Sequence, residues 1–352
     1  MRELDIAKLV RPSVLRLRAY EAKEIPCTVK LDANESPYAL GRDLFRGLRG
    51  LETNRYPDPE ARKLKKIIGK RFGVSPERIL QGNGSDELIY YLVSTFGGPV
   101  LYPFPTFSMY GITSQALGEK AIAVPLDREF DIDLEKTGKA IKKERPKIIF
   151  LSSPNNPTGN CFSSEKILKI IGMSKGIVAV DEAYQPFSSE RGFLPLLKDY
   201  KNLVILRTLS KIGLAALRLG FLIADPGIIK EVNKVRLPFN VNSLSQAIAV
   251  EALKDRAEFS ATIKTIVSER ERLLKEMERR DGIEPFRSEA NFILFRVRDP
   301  GRVYERLLKG GVLVKNLNEM VRGCLRVTVG TPEENTIFLK RMKEALHEKG
   351  DS

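Results

Sequence analysis

A chain of 352 residues with 42% hydrophobic content can bury a large core and is predicted to hold two domains. Its net charge of +14 is spread along the chain and mixed with 45 acidic residues, a pattern that favours small anionic molecules over nucleic acid. Three scattered cysteines (Cys27, Cys161, Cys324), a single histidine (His347) and no apolar run of the roughly 18 residues a membrane span needs exclude a disulfide framework, metal ligation, histidine catalysis and a membrane-spanning helix.

Met1-Arg-Glu-Leu-Asp5 has no signal-peptide character, so a cytoplasmic location is expected. Leu4 to Leu17 reads as a short amphipathic segment, with Arg18-Ala-Tyr20 after it. Val29-Lys-Leu-Asp32 is an extended piece ended by the polar turn cluster Asn34-Glu35-Ser36-Pro37. Asn54-Arg-Tyr56-Pro57-Asp-Pro59 is a proline-fixed exposed loop ahead of a basic helix from Glu60 to Phe72. Its tyrosine is either a plain loop residue or one that reaches a neighbouring subunit.

In Ile79-Leu-Gln-Gly82-Asn-Gly84-Ser85-Asp86-Glu87 a short strand meets two glycines, and a helix follows with Ser85 as its expected N-cap, running through Tyr91 to Phe96. Free backbone N–H groups at such a helix start suit a phosphate. The dinucleotide pattern Gly-x-Gly-x-x-Gly fails, because Glu87 stands at the third glycine position. Pro99-Val-Leu-Tyr102 is a strand. Pro103-Phe-Pro105-Thr-Phe107-Ser-Met-Tyr110 is expected to open the next helix, bringing aromatics to the sheet edge to stack on a planar ligand or to fill core.

Three further strands carry chemistry at their ends. Lys147–Leu151 runs into Ser152-Ser-Pro154-Asn155-Asn156-Pro157-Thr-Gly159, Ile177–Val180 into Asp181-Glu182-Ala-Tyr184, and Asn202–Arg207 into Thr208-Leu-Ser210-Lys211. Strand, helix, strand, strand is the rhythm of a parallel sheet, whose C-terminal edge is where ligands bind. That edge collects Asn156, Asp181, Tyr184, Ser210 and Lys211. A carboxylate ending a buried strand needs a cation or donor, a need a protonated pyridine nitrogen would meet. Lys211, partly desolvated and near Arg218, suits a Schiff-base nucleophile, while Ser210 and Arg218 suit a phosphate. The plain alternative is a surface lysine and a solvated arginine.

Beyond Asp225-Pro226, residues 250 to 280 read as largely helical, with an apolar stripe of Phe259, Ile263, Ile266, Leu273, Leu274 and Met277 that suits a connection between domains. Asn291–Arg296, Val312–Val314 and Leu325–Val329 are strands of a small α+β domain, with helices Arg302–Leu308 and Asn335–His347.

The order Gly84-Ser85-Asp86, Asn156, Asp181/Tyr184, Ser210-Lys211, Arg218, Arg326 resembles the fold-type I pyridoxal-phosphate aminotransferases over nearly the whole chain. Ser153-Pro-Asn-Asn-Pro-Thr-Gly159, Asp181-Glu-Ala-Tyr184 and Thr208-Leu-Ser-Lys211 carry that likeness. Leu31-Asp-Ala-Asn34-Glu35-Ser-Pro37, Asn54-Arg-Tyr56-Pro57 and Cys324-Leu-Arg326-Val-Thr-Val-Gly330-Thr are similar to the histidinol-phosphate aminotransferase family.

The resemblance implies an α/β fold, with a mainly parallel central sheet covered by helices on both faces and a smaller α+β domain formed by the two chain ends. Residues 1–33 would be an arm joining the small domain, 34–240 the large cofactor-binding domain, and 241–352 the connecting helix and small C-terminal domain. It implies pyridoxal 5'-phosphate as cofactor. Lys211 would carry it and move the substrate proton, Asp181 would hold the ring nitrogen protonated, and Asn156 and Tyr184 would bind the ring 3-oxygen. Ser85, Asp86, Ser210 and Arg218 would bind the phosphate, Phe107 would stack on the ring, and Tyr56 would come from the partner of a homodimer. Arg326, Tyr20, Asn34 and Lys315 would face the substrate. The implied reaction transaminates histidinol phosphate and 2-oxoglutarate, giving imidazole-acetol phosphate and glutamate, in histidine biosynthesis. A broad-range or aromatic amino-acid aminotransferase and a phosphothreonine decarboxylase are the alternatives within the superfamily, and a nucleic-acid-binding or regulatory module is the alternative from a different class.

Overall fold

A computed structural model describes residues 5–19, 24–39, 42–254 and 256–347; Tyr20 lies outside the described residues. Its strands are β1 (Val29–Leu31), β2 (Ile79–Asn83), β3 (Val100–Phe104), β4 (Ala121–Pro125), β5 (Ile148–Ser152), β6 (Ile177–Asp181), β7 (Leu203–Thr208), β8 (Leu219–Ala224), β9 (Ile283–Pro285), β10 (Phe292–Val297), β11 (Val312–Asn316) and β12 (Cys324–Thr328). β5, β7 and β8 are apolar runs buried along nearly their whole length, as strands covered by helices on both faces must be.

Seven strands form the large sheet in the order β2-β8-β7-β6-β5-β3-β4. All are parallel except β8, which runs antiparallel to both neighbours. The fold is α/β. Three of the strands, β4, β8 and β9, have no counterpart in the sequence reading. Gly220 interrupts the apolar run of β8, and it has to be glycine: a Cβ there would sit 2.6 Å from the backbone nitrogen of Ser85.

One expectation about where an element begins needs correction. Pro103 and Phe104 do not open a helix; β3 continues through them and the helix starts at Met109. β3 pairs with β5 only at Val100 and Leu101 but with β4 as far as Phe104, so the donor that Pro103 lacks falls where one side of the strand is unpaired. The amphipathic segment from Leu4 forms only the short turns Ile6–Lys8 and Pro12–Leu15 among its described residues, neither burying a residue. The second turn is tied to the helix Met109–Leu117 by Gln115 Nε2, which donates to the Ser13 carbonyl at 3.4 Å.

The small sheet has the order β1-β11-β12-β10-β9, with β1 parallel to β11 and the other pairs antiparallel. The helix Arg256–Glu278 spans both layers. Phe259 and Ile266 pack into the core of the large sheet, whereas Leu273, Leu274 and Met277 pack with Phe295 and Phe338 of the small one. One apolar stripe therefore sets the two sheets against each other, and a cavity opens between them.

Candidate active site

β6 ends on Asp181, which is 3% exposed. Tyr110 donates its hydroxyl proton to Asp181 Oδ2 at 2.8 Å, and the Ala183 N–H donates to Oδ1 at 3.0 Å. Burial pushes this carboxyl up to about 6, against the pull of those two donors. On the neighbouring parallel strand β7 the chain runs on to Lys211, whose Nζ lies 5.7 Å from the centre of the Tyr184 ring.

Tyr184 is fixed from the small-sheet side. Asn34 Nδ2 donates to the Tyr184 hydroxyl at 2.9 Å, and the Tyr184 ring meets Phe292 edge-on at 5.1 Å. Asn34 itself is 2% exposed with φ +55°, held by its N–H to Thr328 Oγ1 at 3.0 Å and by Asn291 Nδ2 donating to its carbonyl at 3.1 Å. Asn tolerates this left-handed backbone better than other side chains. The amide of Asn34 is thus occupied in orienting Tyr184.

A second cluster lies at the start of the helix Ser85–Phe96. Gly84, not Ser85, is its N-cap, with φ +88° and ψ +166°. That backbone favours glycine, and a Cβ on Gly84 would sit 2.7 Å from Arg218 Nη2, so the guanidinium would have to shift. Arg218 reaches Ser210 Oγ at 3.4 Å and Asp86 Oδ2 at 3.2 Å. The Asp86 carboxylate therefore engages the guanidinium, while its backbone N–H belongs to the first turn of the helix, where donors have no partner within the helix. Helix N-terminus, hydroxyls and guanidinium make an anion cradle whose space added methyl groups would fill.

Arg326 of β12 stands across the cavity. Its Nη1 donates to Asn156 Oδ1 at 2.7 Å and its Nη2 to the Asp32 carbonyl at 2.7 Å, with Phe292 under the guanidinium at 5.1 Å. Lys315 of β11 is its register partner on the adjacent strand. The loop bearing Asn156 is braced by Asn155, which accepts from Thr106 Oγ1 at 2.7 Å and donates to the Pro105 carbonyl at 3.0 Å.

These groups share one cavity of about 530 Å³ lined by Asn34, Ser85, Asp86, Phe107, Asn156, Asp181, Tyr184, Ser210, Lys211, Arg218, Lys315 and Arg326. Tyr56 does not line it. That side chain is 81% exposed and stacks on Phe239 at 4.5 Å, on a loop anchored by Arg236 Nη1 and Gln81 Nε2, which both donate to the Pro59 carbonyl. The sequence reading placed Tyr110 among the aromatics at the sheet edge but gave it no part in holding Asp181. It also overlooked the pair of Glu182, fully buried, with Arg207, whose Nη2 donates to Oε2 at 2.7 Å behind the Asp181 loop.

Among the described residues no helix is long and apolar enough to cross a membrane, and no cluster of side chains could hold a metal ion. The sequence model of the family "Aminotransferase class I and II" matches residues 21–342. A histidinol-phosphate aminotransferase from Aquifex aeolicus (strain VF5) is 45% identical over 350 residues, covering 96% of this chain and 98% of that protein. The crystal structure of the histidinol-phosphate aminotransferase from Clostridium acetobutylicum superposes with a TM-score of 0.84 at 25% identity, covering 90% of this chain and 98% of that one. The Sinorhizobium meliloti histidinol-phosphate aminotransferase, solved in complex with pyridoxal-5'-phosphate, gives a TM-score of 0.85 at 23% identity, over 96% of this chain and 97% of that one.

Proposed function

The chain belongs to the class I and II aminotransferases, and from that premise we propose that it transfers the amino group of histidinol phosphate to 2-oxoglutarate, as a step of histidine biosynthesis. The observation that carries the substrate side is the presence of two separate cationic stations in one cavity. Arg218 stands at the helix start, and Arg326 with its register partner Lys315 stands on the small sheet. The first suits the phosphate of a cofactor and the second the phosphate or carboxylate of a substrate.

The family's cofactor is pyridoxal 5'-phosphate, and the residues fit it. A glycine-walled anion cradle supports its phosphate, and a buried carboxylate with a raised proton affinity supports its ring nitrogen. When bound, this group supplies an electron sink for the bonds of the substrate α-carbon. Ser85, Ser210, Arg218 and the Asp86 N–H would bind its phosphate, and Phe107 would cover its ring. Asp181 would keep a proton on the ring nitrogen, while Asn156 and Tyr184 would hold the 3-oxygen. Lys211 Nζ would anchor the cofactor and then carry the substrate's α-proton. Arg326 would orient the substrate anion, with Lys315 adding charge. We read residues 34–240 as the domain that holds the cofactor, and residues 1–33 with 241–352 as the part that meets the substrate.

We further propose a cytoplasmic homodimer in which Tyr56 completes the neighbouring subunit's site, a reading supported by its exposure and by the firm anchoring of its loop. The functional test is a single-turnover titration of the yellow protein with histidinol phosphate and, separately, with histidinol. Loss of the visible band at much lower concentrations of the phosphorylated amine is expected. Equal kcat/KM for the two donors would favour a broad-range aminotransferase instead.

A further inference from the structure

Asp181 has to stay charged in a place where burial works against charge. Its strand neighbours at the same level are Ser152 on β5 and Leu206 on β7, neither of them ionic. The groups that face it are Asp86 from the helix Ser85–Phe96, Lys211 from the segment after β7, the N–H of Ala183, and the Tyr110 hydroxyl from the helix Met109–Leu117. Asp86 disfavours the charge and Lys211 favours it, so the two ionic neighbours oppose each other. Of the groups that favour the charge, Tyr110 contributes most.

Tyr110 is fully buried and stands behind the cavity, not on its wall. Its ring lies flat on Phe150, with centres 4.6 Å apart and planes 2° apart, packing that phenylalanine would reproduce. What phenylalanine would lack is the hydroxyl, which in an apolar core is costly unless it has a partner. That partner is Asp181 Oδ2.

We propose that Tyr110 is a positioning residue of the transamination site, whose hydroxyl pins one oxygen of Asp181, keeps the carboxylate ionised and leaves it aimed into the cavity. The inference rests on the reading of Asp181 as the group that faces the cofactor's ring nitrogen, and it adds a residue that touches neither cofactor nor substrate. Because the phenol stabilises the anion, removing it raises the proton affinity of the carboxyl, and making the phenol more acidic lowers it.

The test is an infrared titration of the cofactor-free protein, following the protonated-carboxyl band that Asp181→Asn abolishes. In Tyr110→Phe its midpoint should rise by about one pH unit, the size expected for one hydrogen bond to a charged group. In the holoenzyme the acidic limb of kcat should move the same way, with the donor KM nearly unchanged. If Tyr110→Phe does not fold, 3-fluorotyrosine placed at position 110 should lower the midpoint. A midpoint that stays put in the folded variant, or that rises with fluorotyrosine, overturns the proposal. A shifted midpoint in a protein that does not transaminate would leave Tyr110's hold on Asp181 standing and sink the functional reading instead.

Discussion

Arg326 and Asn156 meet at 2.7 Å, one from the small sheet and the other from the loop after β5 of the large sheet. A single guanidinium thus spans the two halves of the cavity while its other nitrogen holds the Asp32 carbonyl. Arg326 is 7% exposed, so its charge is largely desolvated and an arriving anion gains accordingly. Arg326→Ala should weaken both half-reactions, with histidinol phosphate and with glutamate, by about 2–5 kcal/mol in transition-state stabilisation. Lys315→Ala should cost less, because an exposed ammonium is a screened point charge. Stopped-flow rates for each half-reaction decide the matter. Loss of one half-reaction alone would show that the two anions do not share this arginine.

Asp181→Ala should separate binding from chemistry. The cradle of Ser85, Ser210 and Arg218 is untouched by the change, so the variant should retain cofactor. Turnover should fall by several powers of ten, because a ring nitrogen without its proton is a poor electron sink. Near-normal activity would make Asp181 a structural residue.

The same carboxyl sets a pH signature in the cofactor-free protein. Its proton affinity rises from the ordinary 3.8 to about 6 on folding. Between those values the folded form holds a proton that the unfolded chain has released, so Asp181 erodes stability as pH climbs through that window. Asp181→Asn removes the titration. Its Tm advantage over the unaltered apoprotein should therefore grow from pH 4 to about pH 6 and level off above it. A constant difference across the window would contradict the assigned burial of the charge.

Gly84→Ala should damage the anion cradle without touching a catalytic group. Its Cβ would meet Arg218 Nη2 at 2.7 Å on a backbone with φ +88°. Cofactor affinity should drop at least tenfold by equilibrium dialysis, because the guanidinium has to move out of the cradle. Unchanged affinity would mean that Arg218 does not bind the phosphate.

Sharing of Tyr56 between subunits can be tested by mixing. Lys211→Ala and Tyr56→Ala proteins, each inactive alone, should regain part of the activity after subunit exchange, since one hybrid site per dimer would carry both residues. Proven exchange with no recovery would place Tyr56 outside the site.

The strand-end residues are legible in the sequence because short apolar runs terminate there and parallel strands carry their ends to one edge; Asp181, Ser210 and Lys211 are found this way. Tyr110 is not, since a buried aromatic in a helix looks the same whether its hydroxyl is idle or bonded to a carboxylate. The contact of Asn34 with Tyr184 is likewise hidden, as it joins residues 150 positions apart. β8 escapes notice because Gly220 breaks its pattern, and the reason for that glycine lies on the helix start it packs against. The reach of Arg326 to Asn156 depends on the closing of two sheets, which local patterns do not encode.

The parallel pairing of β1 with β11 sets a timetable for synthesis. Val29 has to wait for Val312, roughly 280 residues later, before its strand has a partner. At about 5–20 residues per second that delay is roughly a quarter of a minute to a minute. Every residue of the anion cradle has been made by Arg218, well before Arg326 and Thr328 arrive to lock Asn34 and close the far wall. The nascent protein should thus acquire its place for the cofactor first and its place for the substrate last, with Val29 and Leu31 needing shelter from other nascent chains in between.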